Sequence, residues 1–157
     1  MTPFLKLRPA TKEDSRLLFE WANDPEVRAT AFSTEQIPWE DHVRWLEKKL
    51  LDSHCTIWIA LDETMTPIGQ IRFDLQDKNA EVDVHLAPGQ RGKGYGTLLI
   101  AEGLHSLFRS TKCVAVHSFV KADNTTSRQA FLRAGFQEQG MEHMHGQEVY
   151  HFLCKRP

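Results

Sequence analysis

The sequence predicts an α/β fold in a single domain spanning residues 1–157, and three observations support this prediction. Short segments in which apolar and polar residues alternate, as in half-buried strands, are interleaved with longer segments whose apolar residues recur with a helical period. These segments follow the order β-α-α-β-β-β-α-β-α-β-β, which combines hairpins with a strand–helix–strand crossover. Hydrophobic residues make up 41% of the chain, enough for one core at this length.

The first half of the chain contains a strand, two helices and three further strands. Residues 11–14 resemble a capping box that opens the first helix, and residues 23–25 (Asn-Asp-Pro) end it. Pro38, which two acidic residues follow, suits the first turn of the second helix. Residues 78–79 lie in a hairpin between the last two strands. The predicted strands are residues 4–8, 56–61, 68–75 and 80–86.

The second half alternates helices and strands and ends in a hairpin. Gly135 suits the position just after a helix, where a left-handed backbone is common, and Gly146 lies at the centre of the final hairpin. The predicted elements are a helix at residues 94–109, a strand at 114–120, a helix from Asn124 or Thr125 to Ala134, and strands at 136–141 and 148–154.

A glycine-rich loop between the fourth predicted strand and the next helix is the most informative motif. Its sequence, PGQRGKGYG at residues 88–96, places glycines at alternate positions among cationic residues, immediately before an apolar helix. Glycine permits sharp turns and leaves backbone N–H groups uncovered, and a helix N-terminus adds unpaired donors and partial positive charge. The pattern therefore predicts a site for a pyrophosphate or another polyanion.

The spacing of this loop distinguishes it from other phosphate-binding loops. A P-loop has Ser or Thr directly after its lysine, whereas Lys93 precedes Gly94, and a dinucleotide fingerprint reads G-x-G-x-x-G, whereas this loop reads G-x-G-x-G. The segment QRGKGYG resembles the Q/R-x-x-G-x-G/A acetyl-CoA pyrophosphate loop of the GCN5-related N-acetyltransferase (GNAT) family. Arg91, Gly94 and Gly96 occupy the fixed positions of that motif.

A second motif strengthens the resemblance. Asn124 and Ser127, followed by Phe131 and by Gly135 and Phe136, match the N-x-x-[SA]…G-F signature of the same family. The resemblance implies a mixed central sheet of about seven strands with flanking helices. It also implies a splay between strands 4 and 5 that holds the pantetheine arm of acetyl-CoA, the expected cosubstrate. The residues implied to contact acetyl-CoA are Val84, Leu86, Gln90, Arg91, Gly92, Lys93, Gly94, Tyr95, Gly96, Thr97, Asn124, Ser127 and Phe131.

The sequence departs from the family pattern at one position. Many GNAT members have a tyrosine seven residues after the asparagine, where its hydroxyl protonates the departing thiolate, and here that residue is Phe131. A thiol pKa of about 8.5 makes a thiolate a tolerable leaving group near neutral pH. Water, Tyr150 or another group remains available as the acid.

The general base is expected on the fourth strand. Glu81, Asp83 and His85 alternate and therefore share one face of this strand. A carboxylate or an imidazole can take the proton of an attacking amine, and Glu81 lies where many family members have their base. We predict that one of the three is catalytic, although alternating charged residues on a strand also occur on simple solvated faces. Backbone N–H groups of residues 84–86 are expected to polarise the thioester carbonyl.

The N-terminal third of the chain should determine the acceptor amine. The segment from Trp21 to Arg28 (W-x-N-D-x-x-V-R), with His42 and Trp45 further on, resembles nucleotide-sugar acetyltransferases of pseudaminic acid biosynthesis. These enzymes acetylate the 4-amino group of a UDP-linked 4-amino-4,6-dideoxy sugar. The opening residues 7–14 resemble those of the ribosomal-protein N-acetyltransferase branch. The predicted acceptor-binding residues are Trp21, Asn23, Asp24, Arg28, His42 and Trp45.

Three functions therefore remain open. The first is a nucleotide-sugar N-acetyltransferase whose partner is a UDP-amino sugar. The second is an acetyltransferase of a protein N-terminus or an aminoglycoside. The third is a non-catalytic acetyl-CoA-binding module. It also remains open that Trp21 and Trp45 lie at helical spacing and are buried in the core instead of binding the acceptor, because tryptophan is commonly buried.

Composition argues against several other classes of protein. The net charge of −2 and pI near 6.4 argue against a nucleic-acid partner bound by bulk charge. No apolar run reaches the length of a membrane span, and no signal sequence is recognised, so a cytoplasmic protein is expected. The cysteines occur singly, which favours reduced thiols, and His143 and His145 do not form a metal motif. No metal is expected, and the protein is a monomer or a homodimer.

Overall fold

Seven strands form one mixed sheet with helices on both faces in the computed structural model of the protein, which describes residues 4–157. The strands are β1 (Lys6–Pro9), β2 (Cys55–Leu61), β3 (Pro67–Gln76), β4 (Asn79–Leu86), β5 (Ala115–Lys121), β6 (Gln137–Met144) and β7 (Gln147–Lys155). The helices are α1 (Ser15–Ala22), α2 (Pro25–Thr30), α3 (Trp39–Leu51), α4 (Tyr95–Ser110) and α5 (Thr125–Arg133). The strand order across the sheet is β1-β2-β3-β4-β5-β7-β6.

One pair of neighbouring strands differs from the rest in direction. β4 and β5 run parallel because α4 crosses over between them, whereas every other neighbouring pair is antiparallel. The predicted α/β class, with a mixed sheet and flanking helices, is therefore confirmed.

β4 and β5 pair at one end only. Their register runs from Asn79 opposite Ala115 to Glu81 opposite His117 and stops there. Residues 82–86 of β4 continue to pair with β3 on the other side. The two strands therefore separate beyond Glu81, and the sheet opens at the splay that the family resemblance implies.

The closed end of this gap is bridged by polar side chains from four strands. His117 Nε2 on β5 lies 2.9 Å from Asn79 Oδ1 on β4, and His117 Nδ1 lies 2.8 Å from His151 Nε2 on β7. His151 Nδ1 lies 2.8 Å from a carboxylate oxygen of Glu142 on β6. Burial and the adjacent His151 lower the pKa of His117, which favours a neutral ring at that position.

Apolar cores lie on both faces of the sheet because the central strands carry apolar side chains on both of their faces. On β2, Ile57 and Ile59 face α1 and α3, whereas Ala60 faces α4. The core under α4 and α5 is built around Phe73 and Phe152, both fully buried. The core under α1 and α3 includes Trp21, Leu18 and Leu46.

The predicted capping box is confirmed, and it also carries a buried ion pair. The backbone N–H of Thr11 donates to the Asp14 carboxylate at 2.8 Å. Arg8 donates from two nitrogens to the same carboxylate, each at 2.8 Å. These bonds from Arg8 lower the pKa of Asp14, which is buried. They fasten β1 to a short 3-10 turn at Lys12–Asp14 that leads into α1.

The N-terminal region contains one more helix than the sequence pattern predicts. Residues 23–25 end α1 as expected, but Pro25 also begins α2, a helix of six residues. The fixed φ of proline suits the first position of a helix, and Asp24 before it has an extended ψ of 132°. The same Asn-Asp-Pro segment therefore stops one helix and starts the next.

The two predicted hairpins are confirmed with small shifts in their turns. Asp77, with φ of 57°, and Lys78 form the β3–β4 turn, so Asn79 belongs to β4 and not to the turn as the sequence analysis expected. His145 and Gly146, with φ of 52° and 74°, connect β6 to β7. Two consecutive positive φ angles are typical of a type I′ turn, whose twist matches that of the strands.

Three further findings concern features sought in the sequence. No helix within residues 4–157 has the length and apolar character needed to cross a bilayer. In the same part of the chain, no group of three or more His, Cys, Asp or Glu side chains is arranged to hold a metal ion. Cys55, Cys113 and Cys154 are free thiols.

Candidate active site

A cavity of about 510 Å³ lies at the gap between β4 and β5. On one face of the sheet its walls come from α1, α2, α3 and the α2–α3 loop (residues 31–38), and on the other face from α5. Residues 82–85 of β4 and 118–121 of β5 line the opening itself. The cavity therefore connects the two faces where the pairing between β4 and β5 stops.

The glycine loop (residues 88–94) connects the end of β4 to α4. Gly89, Gly92 and Gly94 have φ angles of 83°, 77° and 84°, a region that L side chains rarely adopt. A Cβ atom built at any of the three would meet no atom within 4 Å, so the space above the loop is open. Gly94 is the N-cap of α4, whose first N–H groups lack helical partners. This open, positively polarised loop fits the pyrophosphate of acetyl-CoA.

Unpaired backbone lines the gap itself. Successive N–H and C=O groups of a strand point to alternate neighbours, so some groups of residues 82–86 and 118–121 face the opening instead of another strand. Such groups suit the two amides of a pantetheine arm. Val84 lies at this edge and lines the cavity.

The second motif of the sequence forms the far wall. Asn124, Ser127 and Phe131 all line the cavity from α5. Asn124 Oδ1 accepts a hydrogen bond from the backbone N–H of Ser127 at 3.2 Å, so it caps the helix as its residue type predicts. Phe131 is 4% exposed and packs edge-on against Phe136. Tyr150, the alternative acid, lies under the guanidinium of Arg128 and is outside the described lining of the cavity.

The side chain of Arg91 has partners that sequence reasoning did not anticipate. Its guanidinium donates to the Asp24 carboxylate at 2.6 Å and to the Leu86 carbonyl at 3.2 Å, and it pairs with Glu26 at 3.0 Å. These contacts join the glycine loop to the start of α2. The positive charge that remains at the loop comes from the exposed Lys93 and from the partial positive charge at the N-terminus of α4.

The structure places the three candidate bases in two different cavities. Asp83 and His85 line the cavity, whereas Glu81 lies in a neighbouring crevice with Asp74 and His117. Burial, and then the nearby Asp74, raise the pKa of Glu81. Because β4 and β5 still pair at Glu81, its side chain lies at the closed end of the gap, away from the opening.

Asp83 is at the centre of the polar groups in the cavity. One of its carboxylate oxygens lies 3.4 Å from His85 Nε2, 3.7 Å from an Arg72 nitrogen and 3.2 Å from the amide nitrogen of Gln70. Burial alone would raise its pKa, but His85, Arg72 and the Gln70 hydrogen bond together hold the pKa below its usual range. Asp83 is therefore an ionised acceptor that faces the imidazole of His85.

Two cations face the cavity without a carboxylate partner among the residues that the structure describes. Arg28 donates to the carbonyls of Ala22, Ser33 and Glu35. Lys121 donates to the carbonyls of Ala29 and Ala31 at 3.3 and 2.8 Å. Burial lowers the pKa of Arg28, with an opposing contribution from Asp83. Both side chains thus hold the backbone around the α2–α3 loop, and neither forms an ion pair with a described carboxylate.

The predicted acceptor-binding residues divide into two groups. Arg28, His42 and Trp45 line the cavity, and Trp45 also packs against the guanidinium of Arg72. The other three residues, Trp21, Asn23 and Asp24, lie outside the described lining. Trp21 is a core anchor with 4% exposure, because its position on α1 faces the sheet.

The remaining two predicted residues hold the local backbone. Asn23 donates to the carbonyl of Ile37 at 2.9 Å and accepts from its N–H at 2.8 Å. Asp24 binds Arg91, as described above. Both side chains thereby position the walls of the cavity without lining it themselves.

The comparison with protein families decides the identity of this site. The profile of the acetyltransferase (GNAT) domain matches residues 5–137, most of the chain. The chain belongs to the GNAT acetyltransferase family. It is therefore an acetyl-CoA-dependent N-acetyltransferase, and the cavity at the splayed strands is its candidate active site. No curated protein sequence matches the chain significantly.

Solved structures support the fold of this acetyltransferase. The aminoglycoside acetyltransferase AAC(6')-Ib in complex with coenzyme A superposes with a TM-score of 0.84 at 21% identity, covering 98% of this chain and 95% of that one. The spermidine N-acetyltransferase of Vibrio cholerae, in complex with coenzyme A and spermine, superposes with a TM-score of 0.87 at 20% identity, covering 96% and 95%. Both likenesses extend over nearly the entire fold.

Several cavity residues of the acetyltransferase were missed by sequence reasoning. The clearest signal was available for Arg72 and Gln70, which alternate on β3 and lie opposite Asp83 and His85 in the hairpin register. A two-residue turn fixes the register of a hairpin, but the turn expected at residues 78–79 would have paired Arg72 with His85. Only the shared face of these side chains could therefore have been derived from the sequence. Lys121 carried no such signal, because its approach to α2 depends on tertiary packing.

The substitution Gly94→Val tests whether the glycine loop binds CoA. We expect Gly94→Val to weaken CoA binding about tenfold or more, because it strains the backbone at φ 84° and fills the open space above the loop. Isothermal titration with CoA measures this effect. Gly140→Val is the matched control, since Gly140 also has a positive φ, 128°, and open space at its Cβ position, and lies on the edge strand β6. Equal CoA affinities of Gly94→Val and the wild type would contradict the assignment.

Proposed function

We propose that this acetyltransferase acetylates the 4-amino group of a UDP-linked 4-amino-4,6-dideoxy sugar, as in pseudaminic acid biosynthesis. Arg28 and Lys121, the two cations that face the cavity without a carboxylate partner in the described chain, carry this proposal. A desolvated cation is costly unless an anion compensates it. The diphosphate of a nucleotide sugar would supply that anion, and a guanidinium can hold it through two parallel hydrogen bonds.

The ion pairs around the cavity also favour an anionic acceptor. Among the lining residues, Arg72 pairs with Asp74 and Asp83. The lining carboxylate Asp41 pairs with Arg44. Arg28 and Lys121 are therefore the lining cations without such a partner in the described chain. Aminoglycosides and spermine, which are ligands of the structural neighbours, would bring further positive charge into this cavity. A nucleotide sugar would bring negative charge beside the same residues.

The remaining lining residues suit the sugar itself. Trp45 offers an apolar ring face against which a sugar ring can stack. Asp41, His42 and Gln70 supply polar atoms for hydroxyl groups. Trp45 and His42 also belong to the pattern that resembles nucleotide-sugar acetyltransferases, so the chemical and sequence arguments agree.

His85 is the proposed general base. Acetyl-CoA supplies an acetyl group and a thiolate leaving group, and the acceptor supplies an amine. Nε2 of His85 lies 3.4 Å from the Asp83 carboxylate, so the tautomer protonated at Nε2 presents Nδ1 to accept the proton of the attacking nitrogen. Asp83 remains ionised and stabilises the imidazolium that forms, because its pKa is lowered.

The backbone of β4 and the wall of α5 complete the proposed chemistry. As the C–N bond forms, N–H groups of residues 84–86 that face the gap stabilise the developing oxyanion. When the C–S bond breaks, the thiolate takes its proton from solvent, because Phe131 lacks the hydroxyl present in many family members. Phe131 then serves as an apolar wall of the cavity.

Nucleotide selectivity tests the acceptor. We expect the wild type to prefer the UDP-amino sugar strongly over the same amino sugar without phosphate, and Arg28→Ala to lose most of that preference through a raised KM. Arg28 also holds the α2–α3 loop, so a loss of loop structure should lower kcat/KM for both acceptors alike. Loss of the diphosphate contact should instead change the ratio of the two kcat/KM values. Steady-state kinetics with both acceptors measure this ratio.

Arg109→Ala is the control for this test, since Arg109 is an exposed arginine on α4. Equal wild-type activity on the two acceptors would refute the nucleotide-sugar assignment. Turnover only with aminoglycosides, spermidine or N-terminal peptides would refute it as well, and would identify the acceptor class instead.

Replacement of His85 tests the proposed base. We expect His85→Gln to lower kcat/KM by about 10²–10⁴-fold, because glutamine cannot accept the proton of the attacking amine. His105→Gln, on the exposed face of α4, is the control. A kcat/KM of His85→Gln equal to that of the wild type would assign the base elsewhere.

Tyrosine at position 131 tests how close α5 lies to the leaving group. We expect Phe131→Tyr to keep the melting temperature and to raise kcat, because its hydroxyl would face the cavity and protonate the thiolate. Phe136→Tyr is the matched control, since Phe136 is 3% exposed and lies outside the described cavity lining. Its unpaired hydroxyl should cost about 1–3 kcal/mol. Equal destabilisation by both substitutions, without a gain in rate, would contradict the placement.

A further inference from the structure

Arg91 and Asp24 join two parts of the protein that would bind different substrates. The guanidinium donates to the Asp24 carboxylate at 2.6 Å, and both side chains are largely buried, with 29% and 12% exposure. We propose that this ion pair is a positioning device that couples the glycine loop to the α2–α3 loop, so that CoA binding at the first orders the second. This inference rests on the proposed assignment of the glycine loop to acetyl-CoA.

The glycine loop has little else to hold it in place. Within the described chain, Arg91 provides its only side-chain hydrogen bonds, and its backbone bonds are limited to Gln90 N–H to the Ala87 carbonyl and the start of α4. Three residues with positive φ also make this loop adaptable. Its position relative to the cavity therefore depends strongly on the Arg91 contacts.

The other end of the ion pair belongs to the segment that holds the α2–α3 loop. Asn23, adjacent to Asp24, binds both the N–H and the carbonyl of Ile37. Asp24 is the N-cap of α2, and its carbonyl accepts from the N–H of Arg28, whose side chain binds the carbonyls of Ser33 and Glu35. A movement of Asp24 would thus be transmitted to the wall of the cavity through Asn23 and Arg28.

The two loops should therefore respond to each other. If CoA fixes the glycine loop, the ion pair restrains Asp24, and the α2–α3 loop loses freedom before any acceptor binds. By thermodynamic reciprocity, an ordered α2–α3 loop must favour CoA binding by the same factor. Asp24, which the sequence analysis assigned to acceptor hydroxyls, acts in this scheme without touching either substrate.

Hydrogen exchange with saturating CoA tests this coupling. In the wild type, CoA should slow amide exchange in residues 31–38. Asp24→Asn removes the charge, and α2 should persist because the Asp24 side chain makes no capping hydrogen bond. We expect this variant to lose most of the protection at residues 31–38 even when CoA saturates it. It should also bind CoA about tenfold more weakly, a factor usual for coupling between two sites.

Three further variants make the result specific. Arg91→Gln should also lose the protection at residues 31–38, and Asp24→Asn should cause no further loss when residue 91 is already glutamine, because the pair acts as a unit. Glu26→Gln is the control: it removes a second carboxylate partner of Arg91, but Glu26 is 71% exposed and such pairs contribute little. Normal CoA affinity and normal protection in Asp24→Asn would overturn the proposal, as would additive losses in the double variant.

The same experiments separate this proposal from the assignment of the loop. If the wild type does not bind CoA, or if Gly94→Val binds it normally, the loop assignment fails and the coupling fails with it. If CoA binding depends on Gly94 but is indifferent to Asp24, only the coupling is overturned.

Discussion

The incomplete pairing of β4 and β5 is the constraint on which the rest of the molecule depends. Three residues on each strand pair, and then the strands separate. Backbone groups inside a protein need partners, so an open seam in a sheet persists only where other groups or a bound molecule can satisfy it. Here the seam is flanked by helices on both faces, and the cavity forms where the pairing ends. The gap can therefore hold a cosubstrate that carries amides of its own.

The two faces of the sheet have different roles around this seam. The α4 and α5 side supplies the glycine loop, the helix N-terminus and the wall that contains Phe131. The α1 to α3 side supplies most of the charged side chains, among them Arg28 and Asp41. His85 and Asp83 project from β4 at the opening, where the proposed reaction takes place. This division separates the part of the cavity proposed to hold the cofactor from the part proposed to hold the acceptor.

Local signals in the sequence predicted the elements, and long-range contacts account for what was missed. Strand alternation, the Asn124 cap and the glycine loop are all local, and each appears in the structure. The partner of Arg91 could not be predicted, because Asp24 is distant in sequence and the contact requires both faces of the sheet to be assembled. Trp21 was assigned to the acceptor on the basis of a motif, yet its helical position faces the core. Motifs record which residues occur together, and only packing determines which of them reach the cavity.

The side-chain row from Asn79 through His117 and His151 to Glu142 has a geometric consequence. It sits at the apex of a wedge whose open mouth lies where β4 ends. With about 3.3 Å of rise per residue, residues 82–86 extend the wedge by roughly 16 Å, so a rotation of about 5° at the apex would displace the mouth by more than about 1 Å. A small change in the angle between β4 and β5 at these four side chains would therefore change the width of the opening by a larger amount.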